Sequence, residues 1–240
     1  MSEANGTATE AATKGFLARV IGVFLSPGET FEDVRRRPTI LLPMITLMLL
    51  LAAIFWVITP ASTADQLAAA AQSPRFQNLP EEQQEAQLAF ANSPAARIIG
   101  TVVPPIFILL FSLFFALIYW GAGHLLGGEP TYKGMLSMIL FIGFLNPCLQ
   151  FLVKAPLIVS KNTVMGVTFG PAMFLPDLQV TSMTYTALAL LDIFNIWSTV
   201  VSGIGVAKVS KLSTGAGMAI AIVVFLIGAG IQLGFRAAFS

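Results

Sequence analysis

A single histidine, His124, and a single cysteine, Cys148, leave this chain without the side chains for a multi-histidine metal site or an internal disulfide. Charge is scarce as well. Only 10% of the 240 residues are Asp, Glu, Lys or Arg, where soluble domains hold about a quarter. The net charge of +1 offers no electrostatic footprint for nucleic acid. No Gly-rich phosphate loop of the P-loop type occurs, and no Gly-x-Ser-x-Gly accompanies His124. Asp177 lies in a proline-flanked loop with nothing resembling a Gly-x-Gly-Asp protease site around it. These absences argue against an enzyme, and no cofactor or metal is expected.

Apolar residues are what the chain has in excess, at 56%, with a mean hydropathy of +0.81. Five runs suffice to cross a hydrocarbon core of roughly 30 Å, which takes about 20 helical residues. They cover about 40–59, 98–124, 135–159, 184–207 and 217–235. Backbone groups in lipid must be satisfied internally, so each run is expected to be a helix. The expected fold is an all-α polytopic bundle of five transmembrane helices, with Pro147 kinking the third.

Around the membrane domain of 39–240 the chain divides further. Residues 1–15 are polar, lack the basic-then-apolar order of a signal peptide, and read as a disordered tail. The first span then serves as an uncleaved targeting signal. Residues 16–38 read as amphipathic juxtamembrane helices. Phe16, Leu17, Val20, Ile21 and Phe24 recur at helical spacing, with Lys14 and Arg19 elsewhere on the wheel. Ser26-Pro27-Gly28-Glu29 offers a capping box for a second helix. Residues 60–97 read as an outer loop with two helices. The stretch 160–179, broken by Gly170, Pro171 and Pro176, is expected to lie in the outer interface or dip into the bundle.

Lys and Arg counts set the orientation. With the N-terminus inside, the inner segments hold Lys14, Arg19, Arg35, Arg36, Arg37, Lys133, Lys208 and Lys211. The outer segments hold Arg75, Arg97, Lys154, Lys161 and Arg236. Eight against five places the N-terminus in the cytoplasm and the C-terminus outside. Arg35, Arg36 and Arg37 abut the first span, where they are candidates to face anionic lipid, worth about 1 kcal/mol each.

Polar residues inside spans are costly and mark candidate sites. In the fourth span Asp192, Asn195, Thr199 and Ser202 share one helix face. In the third, Asn146, Gln150 and Lys154 do the same. At 1.5 Å per residue, Asp192 and Gln150 each lie roughly 12–13 Å below the outer ends of their spans. The two antiparallel stripes are therefore expected to meet, with Asp192 near Gln150 and within reach of Lys154. Such a cluster serves either as structural interhelical bonding or as a binding pathway. Gly203 and Ala207, and Gly230 and Gly234, are spaced for close helix packing within the chain or in a homo-oligomer.

Four stretches resemble the Ypt-interacting protein (Yip) family of five-span membrane proteins, in its prokaryotic branch. They are FLSPGETFEDVRRRPTILLP, HLLGGEPTYKGMLSMILFIGFLNP, LLDIFNIWSTVVSGIGVAKVSKLS and the closing apolar span. Gly127, Gly128, Tyr132, Lys133 and Pro147 match in the second, and Asp192, Phe194, Trp197 and Ser198 in the third. The long Gln-rich outer loop departs from the family's usual short first connection. The resemblance implies a membrane protein without catalytic chemistry. Eukaryotic members bind small GTPases of the Rab class, and no feature of this chain carries that partner over. The expected function is a scaffold or adaptor in the bacterial cytoplasmic membrane. Its expected partners are membrane lipids and a membrane or cytoplasmic protein of unknown identity. The alternative is a small-solute permease or channel using the polar stripe between spans three and four.

Overall fold

The computed structural model describes residues 14–238, so the tail expected over 1–15 falls almost entirely outside the described residues. Eleven α-helices are present among them. They are α1 (Phe16–Leu25), α2 (Pro27–Arg36), α3 (Leu41–Gln72), α4 (Pro74–Gln77), α5 (Glu81–Ala91) and α6 (Pro94–Leu125). Then come α7 (Tyr132–Ile142), α8 (Gln150–Lys161), α9 (Met183–Leu190), α10 (Ile193–Ser210) and α11 (Thr214–Ala238). Five segments are long and apolar enough to span a membrane: α3, α6, α7 with α8, α10 and α11. The protein is thus an all-α polytopic membrane bundle.

The third span is its centre. Of its most apolar window 56% is buried, against 17% for α6 and for α11, whose outer faces are left to lipid. α7 packs against α6 and α10, α8 against α3, and α11 against α10. Leu51, Met135, Met138, Phe141, Leu145, Val201 and Val206 form the buried core. The closest crossing is between α10 and α11. A Cβ on Gly217 would strike the Gly203 carbonyl and approach the Ala207 Cβ to 2.7 Å. Gly203 and Ala207 therefore serve packing within the chain. A Cβ on Gly230 or Gly234 would meet nothing within 4 Å, so those glycines face outward.

Three elements differ from the sequence reading. First, α3 does not stop near residue 59 but runs through Pro60 to Gln72. The Thr59 hydroxyl donates to the Phe55 carbonyl at 2.6 Å, one turn back. The extension carries Asp65 to the 163–165 loop. There its carboxylate accepts from Thr163 Oγ1 at 2.6 Å and Val164 N at 2.7 Å. Second, the run over 184–207 is two helices, because α9 closes at Leu191 and Asp192 caps the next. Third, the capping box does not form. Ser26 is the N-cap residue of α2 but its side chain makes no capping bond. Glu29 turns instead to Lys14 at 3.1 Å, and Thr30 Oγ1 donates to the Ser26 carbonyl at 3.0 Å.

The α1–α2 hairpin closes one end of the bundle. Phe16 packs on Phe141 and Phe144 of the third span, and Phe31 and Val34 of α2 are fully buried. Arg19, expected on the polar side of the wheel, turns inward and is 4% exposed. Its Nε donates to Asp33 at 2.7 Å, and its Nη1 to the Arg37 carbonyl at 3.0 Å and Thr39 Oγ1 at 3.1 Å. Ser137 of α7 then donates to the Thr39 carbonyl at 2.7 Å and accepts from its N–H at 3.1 Å. Leu17, Ile21 and Leu25, four residues apart, are left exposed along the opposite side of α1.

Candidate functional site: a polar seam between two broken spans

The seam begins where each span breaks. In the third, Asn146 is extended (φ −141°, ψ 116°) and precedes Pro147, between α7 and α8. In the fourth, Leu191 ends α9 and Asp192 opens α10 (φ −59°, ψ 140°). A helix end leaves carbonyls and N–H groups without partners, which lipid does not supply. The polar side chains of the seam meet that need. Asp192 Oδ1 accepts from Phe194 N at 3.0 Å, a side-chain N-cap, and the carboxylate suits the positive end of the α10 dipole. Asn195 Nδ2 donates to the Leu190 carbonyl at 3.1 Å, satisfying the end of α9.

Across the seam, Asn146 Nδ2 donates to Asn195 Oδ1 at 2.8 Å and to Ser198 Oγ at 3.2 Å. Lys154 Nζ sits 2.9 Å from Asp192 Oδ2. Both charges are sheltered, with side chains 11% and 1% exposed. The loop after α8 completes the carboxylate's shell. Phe169 N donates to Oδ2 at 2.9 Å, and Thr168 Oγ1 at 3.2 Å. Gly170 permits this approach, since a Cβ there would lie 3.0 Å from the Leu188 carbonyl and 3.1 Å from Asp192 N. Edge-on packing of Phe169 against Phe194 holds the loop in place.

The structure therefore brings together Asp192 with Lys154, and Asn146 with Asn195 and Ser198. Gln150 is half-buried and is not among the groups that bond Asp192. The carboxylate faces Lys154 and the 168–169 loop, and Gln150 stands one turn before Lys154 on the third span. Sequence reasoning missed Thr168 and Phe169, although a Thr-Phe-Gly tripeptide in an apolar loop was the available signal.

The other selected positions are structural in several ways. Gly127 has φ +77°, which favours glycine, and Gly128 lies where a Cβ would be 2.7 Å from the Ser210 carbonyl. Together they let the 127–130 turn lie against the end of α10. Glu129 pairs there with Lys211 at 2.6 Å, which holds its carboxyl below the usual range. Tyr132 Oη donates to the Leu113 carbonyl at 3.2 Å. Lys133 is exposed, and Trp197 is exposed on the lipid side of α10. Of the arginine cluster, Arg35 and Arg36 both pair with Glu32, and the Arg37 carbonyl accepts from Arg19. The Arg35 hydrogen bond is the main reason the Glu32 carboxyl lies below its ordinary value.

Five spans, a central polar seam and an amphipathic hairpin at one end define a polytopic membrane protein. The chain belongs to the Yip1 domain family, whose model matches residues 21–235. It is similar to a Bacillus subtilis (strain 168) protein described as membrane protein YknW. The two are 32% identical over 225 residues, 92% of this chain and 88% of that one. No solved structure matches significantly.

Proposed function

We propose that this protein is a non-catalytic scaffold or adaptor of the bacterial cytoplasmic membrane, with its N-terminus in the cytoplasm and its C-terminus outside. It acts by engaging a membrane partner, or by ordering lipid, through the α1–α2 hairpin. The observation that carries this reading is the hairpin's attachment. Arg19, Asp33, Arg37, Thr39 and Ser137 fix it to the bundle, yet Leu17, Ile21 and Leu25 remain exposed along α1. Burying such side chains is worth about 1.5–3 kcal/mol each, enough to hold the helix in the interfacial plane or on an apolar partner. The seam supports the same reading, because its charges and helix ends are matched to one another.

The test is co-purification in mild detergent, wild type beside a variant carrying Leu17→Ser, Ile21→Ser and Leu25→Ser, with proteins and lipids identified by mass spectrometry. The scaffold reading expects a stoichiometric protein or an enriched lipid class with the wild type, lost from the folded variant. A wild type that carries neither would sink it.

A second reading, a small-solute permease, is favoured by one observation: the third and fourth spans both break where their polar residues meet. Discontinuous helices of this kind form substrate and ion sites in transporters.

A further inference from the structure

Adjoining the seam, and sharing Lys154 and Thr168 with it, is a cavity of about 250 Å³ at the end of the bundle opposite the hairpin. Its walls come from α8, the 164–168 loop, residues 180–181, α9 and the last turn of α11. Two cations line it, Lys154 and Arg236, beside Thr168, Thr181 and Tyr185, and no Asp or Glu does. Among the described residues two carboxylates stand close by: Asp192 lies behind Lys154 and offsets a single charge, and Asp65 is turned to the Val164 and Met165 backbone N–H groups of the cavity wall.

Among the described residues, neither cation is spent. An ammonium has three donors, and the Asp192 contact at 2.9 Å uses one of them. Arg236 gives Nε and Nη2 to a single neutral acceptor, the Thr181 carbonyl, which also sets the guanidinium at the cavity wall. A guanidinium has five N–H donors in a fixed fork suited to oxyanions. The volume falls below the roughly 300–1,000 Å³ of sites for drug-sized ligands. It suits one small anionic group.

We propose that this cavity binds a single oxyanion, a phosphate group, held between Lys154 and Arg236. The site goes beyond the scaffold reading and does not depend on it. The phosphate is either that of a lipid headgroup reaching in from the leaflet or a dissolved ion. Lys154 then links two events. The ammonium that anchors the 168–170 loop through Asp192 is also a ligand of the anion, so occupancy stiffens the outer half of the seam.

The test uses the full chain and reads the unfolding midpoint in two comparisons. One sets inorganic phosphate against chloride at equal ionic strength, in detergent. The other sets phosphatidylglycerol nanodiscs against nanodiscs of the phosphate-free lipid digalactosyldiacylglycerol. The variants are Arg236→Gln, Arg236→Lys and a control, Arg75→Gln, outside the cavity. The readout is the stabilisation each anion adds, so a change in starting stability does not count. Phosphate's general effect on burial acts alike on every variant.

The expected result is stabilisation of the wild type by at least one phosphate source. Arg236→Gln at least halves it, while Arg236→Lys retains most of it and Arg75→Gln all of it. Stabilisation by phosphatidylglycerol alone assigns the site to a lipid headgroup, and stabilisation by both sources to the phosphate group itself. No stabilisation by either source, or an equal gain in Arg236→Gln, overturns the proposal.

Discussion

Replacing Lys154 with methionine removes the cation from a carboxylate that is 1% exposed. Neutral interhelical hydrogen bonds in membranes average about 0.6 kcal/mol and reach about 1.7. Deleting one partner of a buried ion pair costs about 3–5 kcal/mol, because the other charge is left stranded. Here Asp192 keeps three donors, namely Phe169 N, Phe194 N and Thr168 Oγ1, as well as the positive end of α10. The expected loss for Lys154→Met is therefore at the lower bound, about 3 kcal/mol. Asp192→Asn should lose a similar amount. Its amide would aim N–H at a backbone N–H, and Lys154 would have no counter-charge. The double variant strands no charge, so it should lose less than the sum, with a coupling of at least about 1.5 kcal/mol. Unfolding of the micelle-embedded protein in increasing dodecyl sulfate, followed by circular dichroism, measures all four corners of the cycle. Additivity to within about 0.5 kcal/mol would refute the buried pair as the bond joining the broken spans.

The α10–α11 crossing gives a contrast between two glycines. Gly217→Ala should destabilise by about 2 kcal/mol through overpacking against Gly203 and Ala207. Gly230→Ala, with open space at its Cβ, should be neutral or stabilise by up to about 1 kcal/mol in thermal unfolding. Arg19→Leu leaves Asp33 short of its partner and should cost about 3 kcal/mol, releasing the hairpin to limited proteolysis between residues 25 and 40. Acid should loosen the same region through Glu32. Its folded pKa lies below the ordinary 4.5, so the stability it contributes is present above that value and is lost as pH falls through the depressed one. Glu32→Gln should flatten the acid limb of the unfolding midpoint's pH profile relative to wild type.

Much of the seam was legible because its signals are geometric. The rise per residue and antiparallel order bring the two stripes together, with Asp192 near Gln150 and within reach of Lys154; the structure joins the carboxylate to Lys154. The break at Asp192 was harder to read. An uninterrupted apolar run argues for one helix, but an aspartate satisfies its carboxylate better as an N-cap than in mid-helix. Arg19 was misread for a similar reason. A helical wheel sends charge outward, and nothing in α1 itself reveals that Asp33, on the next helix, will meet it. Asp65 is the same problem at longer range, since its partners lie about a hundred residues away in sequence. Propensity and periodicity report a residue's own element, whereas Arg19 and Asp65 are defined by another one.

The scaffold reading requires the seam to be a closed structural junction and not a water-filled path. Thiol accessibility at its middle tests this most directly. In a Cys148→Ser background, Asn195→Cys would be exposed to a small, charged, water-soluble thiol reagent in sealed vesicles of either orientation. Arg75→Cys, outside the spans, serves as the reactive control. The account predicts that the position 195 thiol stays unmodified from both sides while the control reacts. Modification at a rate near the control's, slowed by a transported solute, would contradict it and establish the permease reading.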